Sequence, residues 1–419
     1  MSKKNTNDVF VRGFLQVIMV AICMVAVGFL SYHGVFWYFS HEREKANAEA
    51  EKSDSNVVYT AVMVNHSTND KMEGIMVKVL NKDTNNMDFV IVPTNTEISA
   101  GSSIYSTLKQ ESSLLPEPMT IGEITTVVSD ETKSDELVVQ ALEELLGIEN
   151  IDSYETYGEE KLVSIVDLLP QQSLEVPITI STKNTNGVEL TLEQGTQSLD
   201  GEKACALLAF TGYPQGAVDQ AKIMAQFFSN YYKTALALEE SKKQEFYEQY
   251  YSLVTTNSDE ESIAQYKENF VNASPNQVQF HLVEGTQNGT VYQIDSEQAK
   301  TLISTIVETT TVTTTEQDMT DFYVAPVASS KDLDIKVFNG TTVEGLATEW
   351  VHRLSDQGYS IVGAANGESQ DEQNATIYVK KEGTGLDLKA YFPDATYITD
   401  TSLSGFDIKI VLGMAQAQS

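Results

Sequence analysis

Phosphate, metal and acyl chemistry each need particular residues at particular spacings, and this chain carries few of them. Its five histidines, His33, His41, His66, His281 and His352, are scattered without paired metal-ligand spacing. It contains no Gly-x-Ser-x-Gly turn and no phosphate-cradling glycine loop, and no serine or cysteine stands with a base in a nucleophile motif. Arginine is the sharpest absence: none lies between Arg43 and Arg353. Guanidinium groups grip phosphates in bidentate geometry, whereas lysine offers a mobile point charge. The stretch Ile91-Val-Pro-Thr-Asn-Thr96 closes a strand-like run in small neutral residues. Other charged residues have structural readings. Asp219 opens a helix as Asp-Gln-Ala-Lys and reads as its N-cap. Lys222, three residues on, reads as its surface partner, and Glu73, after Lys71, as a solvated loop residue.

At 419 residues the chain is long enough for two or three folded units, and a hydrophobic share of 41% supports real cores. A net charge of −33 disfavours nucleic acid, whose phosphates are bound by clustered Lys and Arg. From Phe14 to Leu30 no residue is charged and Gln16 is the one clearly polar side chain. A stretch of roughly 20 apolar residues crosses a bilayer core. Lys3, Lys4 and Arg12 precede it, so the expectation is a cytoplasmic N-terminus over 1–13, a single-pass anchor over 14–39 and the bulk of the chain outside. A cleaved signal peptide is the competing reading, against which stand the length of the run and the lack of a small-x-small cleavage site. The dozen or so residues before the anchor are too few to fold a DNA-binding module. Cys23 and Cys205 do not form a disulfide framework.

A charged stalk is expected over 40–56. Val57–Val64 reads as a strand, and Gly74–Leu80 with Met87–Val92 as a hairpin turning at Asn81–Asn86. Ser134–Leu146 has apolar residues at helical spacing and Gly147 as its stop. Leu162–Leu169 and Leu174–Ile180 add short elements, Leu199-Asp-Gly-Glu opens a helix, and Asp219–Leu238 is a long one carrying Phe227, Phe228, Tyr231 and Tyr232 as packing residues. Gly285–Gly289 reads as a turn. This alternation predicts an α/β domain over 57–306. The Thr-rich segment 307–333 predicts a linker without a packed core. A small α/β domain over 334–413 follows, with strands at Asp334–Gly340, Tyr359–Val362, Ala375–Val379 and Ile408–Leu412 and a helix over Leu346–Gln357, then a tail over 414–419.

"IKVFNGTTVEGLATEWVHRLSDQGYSIVG", "ATIYVK" and "DIKIVLG" are similar to the C-terminal module of LytR-CpsA-Psr proteins. Upstream, "EGIMV", "IVPTNT", "LEELLGIENIDSYETYGEEKLVSIVDLLP", "LDGEKACALLAF", "DQAKIMAQ" and "TTN" resemble the main domain of the same family in order and spacing. The resemblance implies a mixed sheet flanked by helices. It also implies a phosphotransferase ancestry, in which glycopolymer passes from a polyprenyl pyrophosphate lipid to peptidoglycan, arginines clamp the pyrophosphate and acids hold a divalent metal.

The resemblance places uncharged residues where the family has its clamp. Its arginine and aspartate after the third strand fall at Thr94 and Asn95, its paired arginines at Ala209 and Thr211, and the arginines of its next motif at Lys222 and Ala225, with Asp219 and Gln226 kept. The metal-binding aspartate near the hairpin falls at Glu73. Phosphoryl transfer is mostly positioning and charge neutralisation, so losing the clamp removes the main source of rate. The expectation is a degenerate, non-catalytic member with no assured cofactor. Three readings stay open: an envelope scaffold that keeps an apolar pocket for lipid-linked precursor or a partner, a residual Mg2+-dependent transferase using Glu73, Asp219 and Lys222, and a wall-side interaction protein without a lipid ligand. Membrane, peptidoglycan and envelope proteins are the expected partners.

Overall fold

The computed structural model describes residues 56–65, 72–184, 186–369 and 371–417. The anchor over 14–39, and the stalk apart from Asn56, lie outside them. Among the described residues no helix is long and apolar enough to cross a membrane. The strands are β1 (Val57–Asn65), β2 (Met72–Asn81), β3 (Met87–Val92), β4 (Ser153–Tyr157), β5 (Gln172–Val176), β6 (Ile180–Lys183), β7 (Glu189–Leu192), β8 (Gly195–Leu199), β9 (Thr255–Thr256), β10 (Val278–Leu282), β11 (Gly285–Asn288) and β12 (Val291–Ile294). Helices α1 (Ser103–Glu111), α2 (Ile124–Val127), α3 (Glu131–Leu146), α4 (Glu159–Val166), α5 (Gly201–Ala209), α6 (Ala217–Leu236), α7 (Glu240–Leu253), α8 (Glu260–Asn272) and α9 (Ser296–Glu308) surround them.

A six-stranded mixed sheet, ordered β10-β3-β2-β1-β4-β9, divides the main domain into three layers. β1 pairs antiparallel with β2 and parallel with β4. Side chains alternate across a strand: Val62 and Val64 join the core under α5, α6 and α7, whereas Ala61 and Met63 join the core under α1, α3 and α9. Because both faces are covered, "AVMV", "GIMVKVL" and "FVIV" are near-continuous apolar runs. Gly147 and Asp200 delimit helices as expected, whereas α3 begins at Glu131, three residues before the expected Ser134. Asp130 accepts from the Lys133 N–H at the start of α3, Gly147 ends it in the left-handed region at φ 68°, and Asp200 accepts from the Lys203 N–H at the start of α5.

The Thr-rich segment departs from the expected linker. The Asn86 amide donates to the Thr311 carbonyl at 2.9 Å while its oxygen accepts from the Thr313 N–H at 3.0 Å. Gln317 brackets Phe280 by accepting from its N–H at 2.8 Å and donating to its carbonyl at 2.6 Å. Phe322, Val324 and Val327 are buried in the main core. The threonines supply backbone groups and the distant amides supply the partners, so a composition unable to pack by itself is laid down as a strap. Asn86 is 2% exposed. Asn86→Ala is therefore expected to cost about 1–3 kcal/mol through unpaired buried backbone groups, with hydrogen-exchange protection lost first at 311–313. Unchanged protection there would contradict the strap.

The C-terminal domain has its own sheet, β14-β13-β17-β15-β16, from β13 (Ile335–Asn339), β14 (Ile361–Asn366), β15 (Thr376–Val379), β16 (Thr396–Thr399) and β17 (Ile408–Leu412). Helix α10 (Leu346–Asp356) covers it through Trp350, whose ring lies 4.7 Å from that of Phe392. The expected strand over Tyr359–Val362 starts two residues later, because Gly358 at φ 89° and Tyr359 complete the helix exit. β16 is an edge strand with little burial, so its apolar residues show no alternation to read.

Candidate functional site

A cleft of about 950 Å³ opens in the main domain and is partly walled by the C-terminal domain. Thr94 and Asn95 enter it from the turn after β3, Ala209 and Thr211 from the end of α5, and Glu73 from β2. The structure thus gathers four of the five positions predicted as neutral replacements around one space. Ala225 is instead wholly buried on α6. Asp219 and Lys222 also lie outside the lining.

Three expectations are corrected here. Glu73 is a strand residue rather than a solvated loop residue. Burial first, then the nearby Glu159 carboxylate, pushes its pKa up to about 8, leaving it mostly neutral at pH 7. Asp219 is not an N-cap, because α6 begins two residues earlier behind Gly216. Its carboxylate instead accepts from the Gln215 N–H at 2.9 Å. Gly285–Asn288 is a strand, β11, hairpinned to β12 rather than a simple turn.

That hairpin explains Asn95. Its side-chain amide donates to the Thr290 carbonyl at 2.9 Å and to Gln287 Oε1 at 3.2 Å, and its backbone carbonyl accepts from the Tyr292 N–H at 2.9 Å. A carboxylate at Asn95 would face two acceptors. The turn is further held where the Gly122 N–H donates to the Thr94 carbonyl at 2.8 Å, and a Cβ at Gly122 would come within 2.7 Å of that oxygen.

The charged lining comprises Glu73, Glu117, Glu123, Glu159 and Glu202 against Lys183 and Lys389, with no arginine or histidine. Glu159, Glu202, Lys183 and Lys389 were not recognisable as site residues from spacing, although Glu159 and Glu202 open helices within the quoted motifs. The donor set does not suit the divalent metal that the resemblance implies. Asn95 presents an amide engaged as a donor, and Asp219 is committed to the Gln215 N–H. Among the described residues no group of three or more His, Cys, Asp or Glu is placed to hold a metal ion.

A second, apolar cavity between β1–β3 and α6–α8 has about 40 Å³ of space, room for a few waters at most. Tyr232, Phe246, Tyr250 and Phe270 fill it, and Phe89 stacks on Phe280 at 4.8 Å. The expected packing role of Phe227, Phe228, Tyr231 and Tyr232 is thereby realised, since all four are buried.

The chain matches the LytR_cpsA_psr family over residues 65–308 and, over residues 332–415, the family described as LytR cell envelope-related transcriptional attenuator. The first match spans more than half of the chain, which therefore belongs to the LytR_cpsA_psr family. No curated protein matches significantly. Similar solved structures include a putative transcription regulator from Eubacterium siraeum, at 16% identity over 60% of this chain and 92% of that one with a TM-score of 0.46. TagV of B. subtilis gives 15% identity over 60% of this chain and 96% of that one, TM-score 0.47. TagU of B. subtilis gives 16% over 60% and 96%, TM-score 0.37.

Proposed function

We propose that this chain is a cell-envelope, glycopolymer-associated member of its family that holds wall carbohydrate in the cleft and transfers no phosphate. The observation that carries this reading is the lining, in which five glutamates face two lysines without an arginine. A pyrophosphate entering there meets net negative charge and none of the planar cations that neutralise a transferring phosphoryl group. A carbohydrate needs no counter-charge. It needs hydroxyl and amide partners and a flat apolar face, which Thr211, Gln287, Phe210 and Tyr391 offer in the same lining. The position of Asp219 and Lys222 outside the cleft lining that holds Glu73 argues against residual transfer. The apolar run 14–39 serves, on this proposal, as a single-pass membrane anchor with the bulk of the chain outside. Peptidoglycan and envelope proteins are then the partners, and the −33 charge leaves no place for nucleic acid.

The test uses the full chain in detergent, purified peptidoglycan sacculi and a polyprenyl-pyrophosphoryl glycopolymer with Mg2+. No transfer product is expected above the protein-free control, while sacculi should retain the protein and Thr211→Trp, which fills the cleft, should weaken retention about tenfold. A Mg2+-dependent product lost in Glu73→Gln would establish residual transfer. Retention untouched by Thr211→Trp would place the binding surface elsewhere.

A further inference from the structure

The C-terminal domain reaches the cleft through the 3-10 turn Leu386–Ala390, which brings Lys389 and Ala390 into the lining together with Tyr391 and Pro393. Lys389 Nζ donates to the Tyr213 carbonyl at 3.1 Å. That carbonyl sits on a firm corner: Tyr213 is wholly buried, its hydroxyl donates to the Leu207 carbonyl at 2.7 Å, and its ring stands edge-on to Phe210 at 5.0 Å. Burial lowers the Lys389 pKa while Asp219 opposes the shift, so the ammonium is partly desolvated and faces the α6 carboxylate.

The C-terminal domain has a separate apolar core, and Leu386 is its described residue that packs against the main core. The strap shows where the two bodies part. Val327 belongs to the main domain, its N–H donating to the Pro177 carbonyl at 2.8 Å and its carbonyl accepting from Gln194 at 2.8 Å. Ser330 belongs to the C-terminal domain, its N–H donating to Asp387 at 2.7 Å and its hydroxyl accepting from the Gly385 N–H at 2.9 Å. Between them Ala328 and Ser329 are exposed. A short exposed joint flanked by two anchored residues is the geometry of a hinge.

We propose that the C-terminal domain is a movable wall of the cleft, hinged at Ala328–Ser329 and latched by Lys389 on the Tyr213 carbonyl, so that its position sets access to the cleft. The regulatory meaning rests on the cleft being the binding site proposed above. The motion itself is tested without ligand and stands or falls separately. In the full chain, a Thr211→Cys reporter is labelled with iodoacetamide or a bulky polyethylene-glycol maleimide, and modification at position 211 is quantified by peptide mass spectrometry. The ratio of bulky to small labelling should rise about tenfold in Lys389→Ala and Lys389→Glu and stay at the reference value in Lys389→Arg. Loosening the hinge with Ala328→Gly and Ser329→Gly should shift it the same way. Gln287→Cys on the opposite rim serves as reporter if Thr211→Cys does not fold. Folded Lys389→Ala and Lys389→Glu proteins that label at the reference ratio would overturn the latch.

Discussion

Lys78→Met is expected to lower the unfolding free energy by about 3–5 kcal/mol, the usual cost of stranding a buried charge. Lys78 follows Met76 and precedes Leu80 on the face of β2 that looks into the aromatic layer. Its Nζ lies 2.6 Å from Glu155 Oε1, with the two side chains 15% and 2% exposed. Glu155 also accepts from the Tyr250 hydroxyl at 2.8 Å and the Tyr251 hydroxyl at 2.7 Å. Burial alone would raise the Glu155 pKa, but the Lys78 charge and the three hydrogen bonds outweigh it and hold the pKa below its ordinary 4.5. A carboxylate lowered on folding stabilises the protein above its unfolded pKa, and that contribution disappears as pH falls through the folded value. Removing Lys78 leaves burial opposed only by phenol donors. The acid-side loss should then shrink or reverse, and stability should worsen as pH rises. Lys78→Met with Glu155→Gln should recover part of the loss, because the pair is coupled. Urea unfolding followed from about pH 8 down to about pH 2, below the carboxylate range, reads both effects. A deficit under about 1 kcal/mol for Lys78→Met would place the pair among ordinary surface bridges.

Glu73→Gln is expected to stabilise the protein at high pH and to change little at low pH. Folding raises the carboxyl from 4.5 to about 8. Between those values the folded state keeps a proton that the unfolded state has released, so stability falls as pH rises through this window and levels off above it. A glutamine keeps the neutral shape and does not titrate. The variant should match the reference protein near pH 5 and exceed it by roughly 1–3 kcal/mol near pH 9, allowing for partial solvent access and about 1.4 kcal/mol per pH unit for one proton. Thermal unfolding at both pH values suffices. An offset that is the same at each pH would show that Glu73 keeps its charge in the fold. This result bears directly on function, since a site that protonates its own acid lacks the cationic field that phosphate transfer requires.

The sequence by itself determined the features set by neighbours a few residues apart. Asp200 and Gly147 marked helix ends because capping is a local hydrogen-bonding event, whereas the helix expected from Ser134 begins at Glu131 behind an Asp130 cap. The runs of β1, β2 and β3 were readable because a sheet covered on both faces needs apolar residues at nearly every position. The missing arginines were readable too, being a fact of composition. What only the tertiary structure decided depends on residues far apart in the chain. Glu73 read as loop because Glu73 and Gly74 precede the apolar run of β2, and its raised pKa follows from burial first and then from the approach of Glu159. Asp219 lost its capping role because Gly216, at φ 57°, turns the chain into α6 earlier than the Asp-Gln-Ala-Lys signal suggests. The Thr-rich segment gained order from Asn86, Gln226 and Gln317, whose amides pair with its backbone or with the core beneath it. The cleft is the clearest case: Thr94, Thr211 and Lys389 share one wall system only because the sheet, the end of α5 and a separate domain converge there. Spacing along a chain carries no trace of such a meeting, because the contacts that create it arise from burial of distant surfaces and not from the backbone between them.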